Sequence, residues 1–160
     1  MSEQAPNPRF EIDHDNPWPG LSSFTEDTRT FFFGRDKETD ELSRLVRRET
    51  LTVLFGQSGL GKSSLLQAGL FPLLRENDHL PLYLRLDHSI EIGNRQSEIG
   101  NHPPPLAEQV KVALMDAFTR EKVDAPQMSA ADSLWEYFHR KDVDVWSAKN
   151  RLLTPVLAFD

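Results

Sequence analysis

A chain of 160 residues with a formal charge of −7 and no cysteine has room for one modest hydrophobic core, and disulfides, thiolate catalysis and sulfur-bound zinc are excluded. Hydrophobic residues at 38% and charged residues at 27% match ordinary globular usage and exclude wholesale disorder. The negative charge is spread without an acidic block and disfavours nucleic acid and anionic membranes, residues 1–20 carry no apolar signal segment, and no stretch reaches the ~20 apolar residues of a membrane span, so a cytoplasmic protein is expected.

Residues 1–16 are rich in proline, aspartate and asparagine and are expected to form a flexible leader, with the domain spanning residues 17–160. Pro17 to Leu21 is turn chemistry around Trp18, and Phe31 to Phe33 is a short apolar run closed by Gly34; both are expected to pack on the core. From Asp36 to about Glu49, Leu42, Leu45 and Val46 recur at helical spacing, with Arg44, Arg47 and Arg48 on the solvated face rather than in a binding patch. Leu51 to Phe55 is apolar, β-branched at its centre and stopped by Gly56, which predicts a buried strand. A helix follows through Leu65, Leu66, Gln67 and Ala68, and Gly69 with Pro72 should end or kink it before Leu73 and Leu74.

Leu80 to Asp87 predicts a second buried strand, and His88 to Pro105, polar with two glycines and a triple proline, a long exposed loop. Leu106, Val110, Ala113, Leu114, Ala117 and Phe118 mark one face of an amphipathic helix. Another helix is expected from Ala130 to Arg140, capped by Ser129, with Leu134, Trp135 and Phe138 facing inward. Val156 to Phe159, after Pro155, predicts a buried strand ending at Asp160. Strand, helix, strand, helices, strand in that order imply an α/β layered fold with a parallel sheet.

The segment Gly56-Gln57-Ser58-Gly59-Leu60-Gly61-Lys62-Ser63 has glycine, lysine and serine at every position that a phosphate-binding loop requires, between a predicted strand and a predicted helix. Its glycines let consecutive backbone N–H groups curl inward towards phosphate oxygens, and the helix N-terminus adds partial positive charge. In that reading Lys62 reaches the β- and γ-phosphates of ATP or GTP and Ser63 ligates Mg²⁺; Ser64 completes the candidate nucleotide-binding set. Asp160, closing an apolar strand, stands where such proteins place the acid that holds Mg²⁺, although aspartate after a strand is also ordinary turn chemistry. The histidines at 14, 79, 88, 102 and 139 have no metal-site spacing, and Trp18, Trp135 and Trp146 read as packing anchors.

Asn16 to Leu21, Phe31 to Glu38, Phe55 to Leu70 and Pro155 to Asp160 resemble, in that order, the novel STAND NTPase family, ATP-regulated switches in larger signalling and antiphage-defence proteins of bacteria. The resemblance implies a P-loop NTPase three-layer fold, incomplete in this chain, with ATP or ADP and Mg²⁺ as ligands. It implies that Phe32, Phe33, Gly34, Arg35 and Glu38 form the motif that lies near adenine and ribose, so Arg35 joins the candidate nucleotide-binding residues. It makes Lys62 and Asp160 the candidate catalytic residues and Ser63 and Asp160 the metal ligands. Family order continues past the position of Asp160 with the acid that polarises water, further strands, a lid and a winged helix. One of those strands belongs between the strands at Leu51 and Val156. The chain by itself is therefore expected to bind ATP with little or no turnover, and its protein partners or self-association to depend on further regions. A P-loop kinase or other NTPase, and a non-catalytic nucleotide-binding interaction module, are the competing readings.

Overall fold

The computed structural model describes residues 12–86 and 105–160 and divides between Leu73 and Leu74 into two units. Most of the expected leader, Asp87, and the expected loop from His88 to residue 104 lie outside the described residues.

In the first unit, a 3-10 helix at Glu26–Phe31, which the sequence pattern did not signal, precedes helix α1 at Asp36–Arg48. Asp36 and Glu38 in the first turn of α1 and Arg47 and Arg48 in its last complement the helix dipole. Leu42 is buried with Leu45 and Val46 half-buried beside it, while Arg44, Arg47 and Arg48 are exposed, so the expected amphipathic helix forms with the expected faces. Helix α2 at Lys62–Ser64 runs into a π-helical turn at Leu65–Leu70 and then α3 at Phe71–Glu76. Of the two outcomes expected at Gly69 and Pro72, an end or a kink, the helix does not end there but carries a local distortion, the π turn, and runs on to Glu76. The Phe71 N–H bonds to the Leu66 carbonyl five residues back, and this wider turn immediately ahead of the proline relieves the clash that its ring makes in a regular α-helix.

Gly69 decides how closely α1 meets this helix. A Cβ built there would lie 2.7 Å from Thr39 Oγ1 and 3.3 Å from Phe32 Cε1, and Thr39 and Ser43, both small, are the buried polar residues of α1. The segment before α1 is tied to the same helix: the Phe24 N–H donates to Ser64 Oγ at 3.1 Å, and Gln67 Nε2 donates to Ser23 Oγ at 3.3 Å. Phe24 and Phe32 lie with ring centroids 5.9 Å apart, and Phe31 is edge-on to His14. Trp18 and Phe33, expected to pack, are instead 73% and 78% exposed.

The strand expected at Leu51 to Phe55 is not formed. Residues 51–57 adopt no regular element, and Leu51, Val53 and Phe55 are 80%, 72% and 89% exposed while Thr52 and Leu54 between them are half-buried. A strand exists through its ladder, and the one sheet among the described residues holds only the two strands of the second unit.

That sheet pairs β1 at His79–Leu84 with β2 at Thr154–Phe159 in parallel, from His79 opposite Thr154 to Leu84 opposite Phe159. The carbonyls of Asp78 and Leu84 accept from the Thr154 and Asp160 N–H groups, so even-numbered residues of β1 face β2. Pro81 is odd-numbered, its missing donor falls on the outer edge, and proline is tolerated there. Asp78 enters the strand at φ 60° and is held by a two-pronged pair with Arg151, 2.5 Å to Nε and 2.7 Å to Nη2, which fixes the starts of both strands.

Leu80, Leu82 and Leu84 form one core with Val110, Leu114, Ala117 and Phe118 of helix α4 at Leu106–Arg120, and with Tyr137 and Val145. The face of α4 is the one read from its periodicity, apart from Leu106, which is 38% exposed at the helix start. Arg75 pairs bidentately with Glu121 at 2.5 and 3.0 Å and ties α3 to the end of α4. Helix α5 is shorter than expected, Leu134–His139. Its cap is Ser133, whose Oγ accepts from the Glu136 N–H at 3.1 Å while Glu136 Oε2 accepts from the Ser133 N–H at 2.8 Å. Ser129 is held instead in a turn with Asp132, backbone to backbone at 3.1 Å and backbone to carboxylate at 3.0 Å. Leu134 and Phe138 pack against the core as expected, and Tyr137 joins them, wholly buried and donating to the Pro126 carbonyl at 2.6 Å. Trp135, expected inside, is 68% exposed and stacks on His139 at 4.1 Å. Trp146 is half-buried and bridges antiparallel to Asp124 and Leu152.

The result is an α/β fold with a small parallel sheet. Among the described residues, no helix is long and apolar enough to cross a membrane, and no group of three or more histidine, aspartate or glutamate residues has the geometry of a metal site.

Candidate nucleotide-binding site

Gly56 to Leu60 form an exposed turn between the irregular segment at 51–55 and α2. Gly59 and Gly61 take φ of 83° and 75°, a left-handed conformation that side-chain-bearing residues pay to adopt. A Cβ at either glycine would meet nothing within 4 Å, so the glycines are required by the backbone path and they leave the space beside the loop clear. Gly61 caps the helix, and the Leu65 N–H returns to its carbonyl at 2.8 Å. The helical run that starts at Lys62 continues over residues 62–76, long enough to present a dipole end to the loop.

Lys62 folds back over the turn, with Nζ donating to the Gly56 and Gln57 carbonyls at 3.1 Å each. Its ammonium is thus stationed across the mouth of the loop, held by two neutral acceptors that a phosphate oxygen would outcompete. Ser63 is half-buried beside it. Ser64 is 8% exposed and its hydroxyl takes the Phe24 N–H, so its side chain belongs to the packing of the unit.

Arg35 joins the loop from the side of α1. Nη1 donates to the Leu60 carbonyl at 3.4 Å, and Nε lies 3.0 Å from Glu38 Oε1. The motif residues Arg35 and Glu38 are thus paired with each other and attached to the turn, while Phe33 between them and Phe32 is exposed.

Asp160 lies in the second unit, one residue beyond β2. Its N–H continues the ladder to the Leu84 carbonyl at 3.0 Å, and its carboxylate accepts from the Tyr83 hydroxyl. The sequence reading did not single out Tyr83. The only signal available was a tyrosine in the last two positions of a strand paired with the strand that leads to the aspartate.

Within the first unit the loop offers donors of the kind that suit a phosphate, the Lys62 ammonium and the start of a helical run, with the Ser63 hydroxyl beside them. Comparison with known proteins agrees in kind. The family described as Novel STAND NTPase 1 matches residues 17–145, which take in the Trp18 turn, the Arg35 motif and the whole glycine-rich loop and stop before β2 and Asp160. No curated protein and no solved structure gives a significant match. With four-fifths of its length matched and the loop geometry in place, this chain belongs to the Novel STAND NTPase 1 family.

Proposed function

We propose that the chain is the ATP-binding module of a STAND-type signalling or defence switch, built on a P-loop NTPase fold, with Mg-ATP or Mg-ADP held by residues 56–63. The observation that carries this reading is the loop itself: two left-handed glycines, a helix starting at Lys62, and the Lys62 ammonium laid across the Gly56 and Gln57 carbonyls. The backbone N–H groups of the turn bind the phosphates without needing a side chain, and the helix end favours their charge. Lys62 exchanges its two carbonyl acceptors for β- and γ-phosphate oxygens, and Ser63 supplies a hydroxyl oxygen to the metal. Mg²⁺, when bound, would supply neutralisation of phosphate charge. Asp160 is assigned a carboxylate role towards Mg²⁺ by the family resemblance alone, and Arg35 steadies the turn through Leu60 while Glu38 holds its guanidinium.

Titration calorimetry of wild type and Lys62→Ala with ATP and ADP, each with Mg²⁺ and with EDTA, tests the reading. Wild type should bind both nucleotides, and the substitution should weaken ATP more than ADP because Lys62 is assigned to the γ-phosphate. Equal affinity of the two proteins for ATP, or no binding by folded wild type, refutes it.

A further inference from the structure

The helical run that begins at Lys62 is gripped along one side by the segment that precedes α1. Ser64 stands in the first turn of that run, ahead of the Leu65 N–H that returns to the Gly61 carbonyl at 2.8 Å, and its hydroxyl accepts the Phe24 N–H at 3.1 Å. One turn on, Gln67 Nε2 donates to Ser23 Oγ at 3.3 Å. Residues three apart share a helix face, so Ser23 and Phe24 lie along that face as a strap. Phe32, whose ring centroid is 5.9 Å from that of Phe24, closes the same segment against Gly69. Ser64 is buried: its side chain is committed to the strap, while its backbone belongs to the turn whose N–H groups a helix leaves for an outside acceptor.

The structure assigns Ser64 as a positioning residue for the phosphates of a bound nucleotide: its hydroxyl ties the first turn of the helix to residues 22–25, so that the N–H groups of that turn are held in place before the ligand arrives. The assignment rests on the nucleotide reading of residues 56–63 given above. Donors already fixed where a phosphate will sit bind it more tightly than donors that must be ordered on binding. Removing the hydroxyl takes its acceptor from the part-buried Phe24 N–H and loosens the strap. Coupling of this kind is reciprocal: a strap that tightens phosphate binding is itself tightened, by the same factor, when phosphate binds, and such factors are about 5-fold or more.

The test measures hydrogen–deuterium exchange of residues 22–25, with and without saturating ATP and Mg²⁺, beside ATP affinity by titration calorimetry, for wild type, Ser64→Ala, Ser64→Thr and Ser23→Ala. Circular dichroism checks that each protein is folded, and Ser23, which lies outside the loop, carries the test if Ser64→Ala does not fold. ATP should slow exchange of the Phe24 amide about 5-fold in wild type, and Ser64→Ala should both abolish that slowing and weaken ATP by about the same factor. Ser64→Thr, which keeps a hydroxyl, should restore both, and Ser23→Ala should weaken ATP in the same direction. ATP bound without slower exchange at residues 22–25, or with slowing equal to that throughout α1, overturns the assignment and leaves the nucleotide reading standing. A loss of affinity in Ser64→Ala with none in Ser23→Ala and no change in strap exchange makes the hydroxyl a direct ligand, which also overturns it. Absence of ATP binding by folded wild type refutes the nucleotide reading itself, and the assignment with it.

Discussion

Gly69 to alanine is the substitution whose outcome the structure specifies most closely. On propensity alone it should stabilise, because alanine is favoured over glycine in a helix by about 1 kcal/mol. The added methyl, however, would lie 2.7 Å from Thr39 Oγ1, 3.2 Å from Thr39 Cγ2 and 3.3 Å from Phe32 Cε1. Thr39 is short, branched and 7% exposed, so it has no flexible end to swing aside, and the contact must be relieved by moving α1 away from the π turn. Overpacking of this kind costs about 1–3 kcal/mol, which leaves a net loss of roughly 1 kcal/mol after the propensity gain. Removing the obstacle should reverse the sign: in a Thr39→Ala background the two Thr39 contacts are gone and, of the three nearest, the Phe32 contact at 3.3 Å remains, so Gly69→Ala should be neutral or stabilising by up to ~1 kcal/mol. Urea unfolding of the four proteins, followed by circular dichroism, gives the cycle. A stabilising Gly69→Ala in the wild-type background, or the same effect in both backgrounds, would refute the close approach of α1 and the helix that follows the loop.

Tyr137→Phe should cost about 1–2 kcal/mol in the same assay, because it removes the donor to the Pro126 carbonyl from a wholly buried position; a change within error would place that carbonyl in contact with water. Glu136 is held below its ordinary value of 4.5, chiefly by the backbone N–H of Ser133 and then by its side chain. A depressed carboxylate stabilises fully above its unfolded value and loses that contribution as pH falls through the folded one. Stability measured from pH 6 down to 3 should therefore fall more steeply in wild type than in Glu136→Gln, and parallel curves would show that the capping box does not hold the charged form.

What the sequence alone determined is what depends on short spans of backbone. The amphipathic faces of α1 and α4 follow from the 3.6-residue period, which buries Leu42 in one and Val110, Leu114, Ala117 and Phe118 in the other whatever their partners are. The conformation of the glycine-rich loop was equally legible, since left-handed glycines and a helix start are local properties of Gly59, Gly61 and Lys62. Only the tertiary structure decided the rest. Leu51 to Phe55 has the composition of a strand but pairs with nothing in the one described sheet, and composition cannot supply a neighbour. Both Ser129 and Ser133 offer a cap with an acid three residues on, and it is Ser133 that caps, with Tyr137 inside and Trp135 exposed. The need for glycine at 69 arises from Thr39, thirty residues away in sequence, and the hydrogen bond from Tyr83 to Asp160 arises from a strand register. Contacts between segments distant in the chain are set by which surfaces meet, and that information is carried by the packed whole rather than by any one stretch of residues.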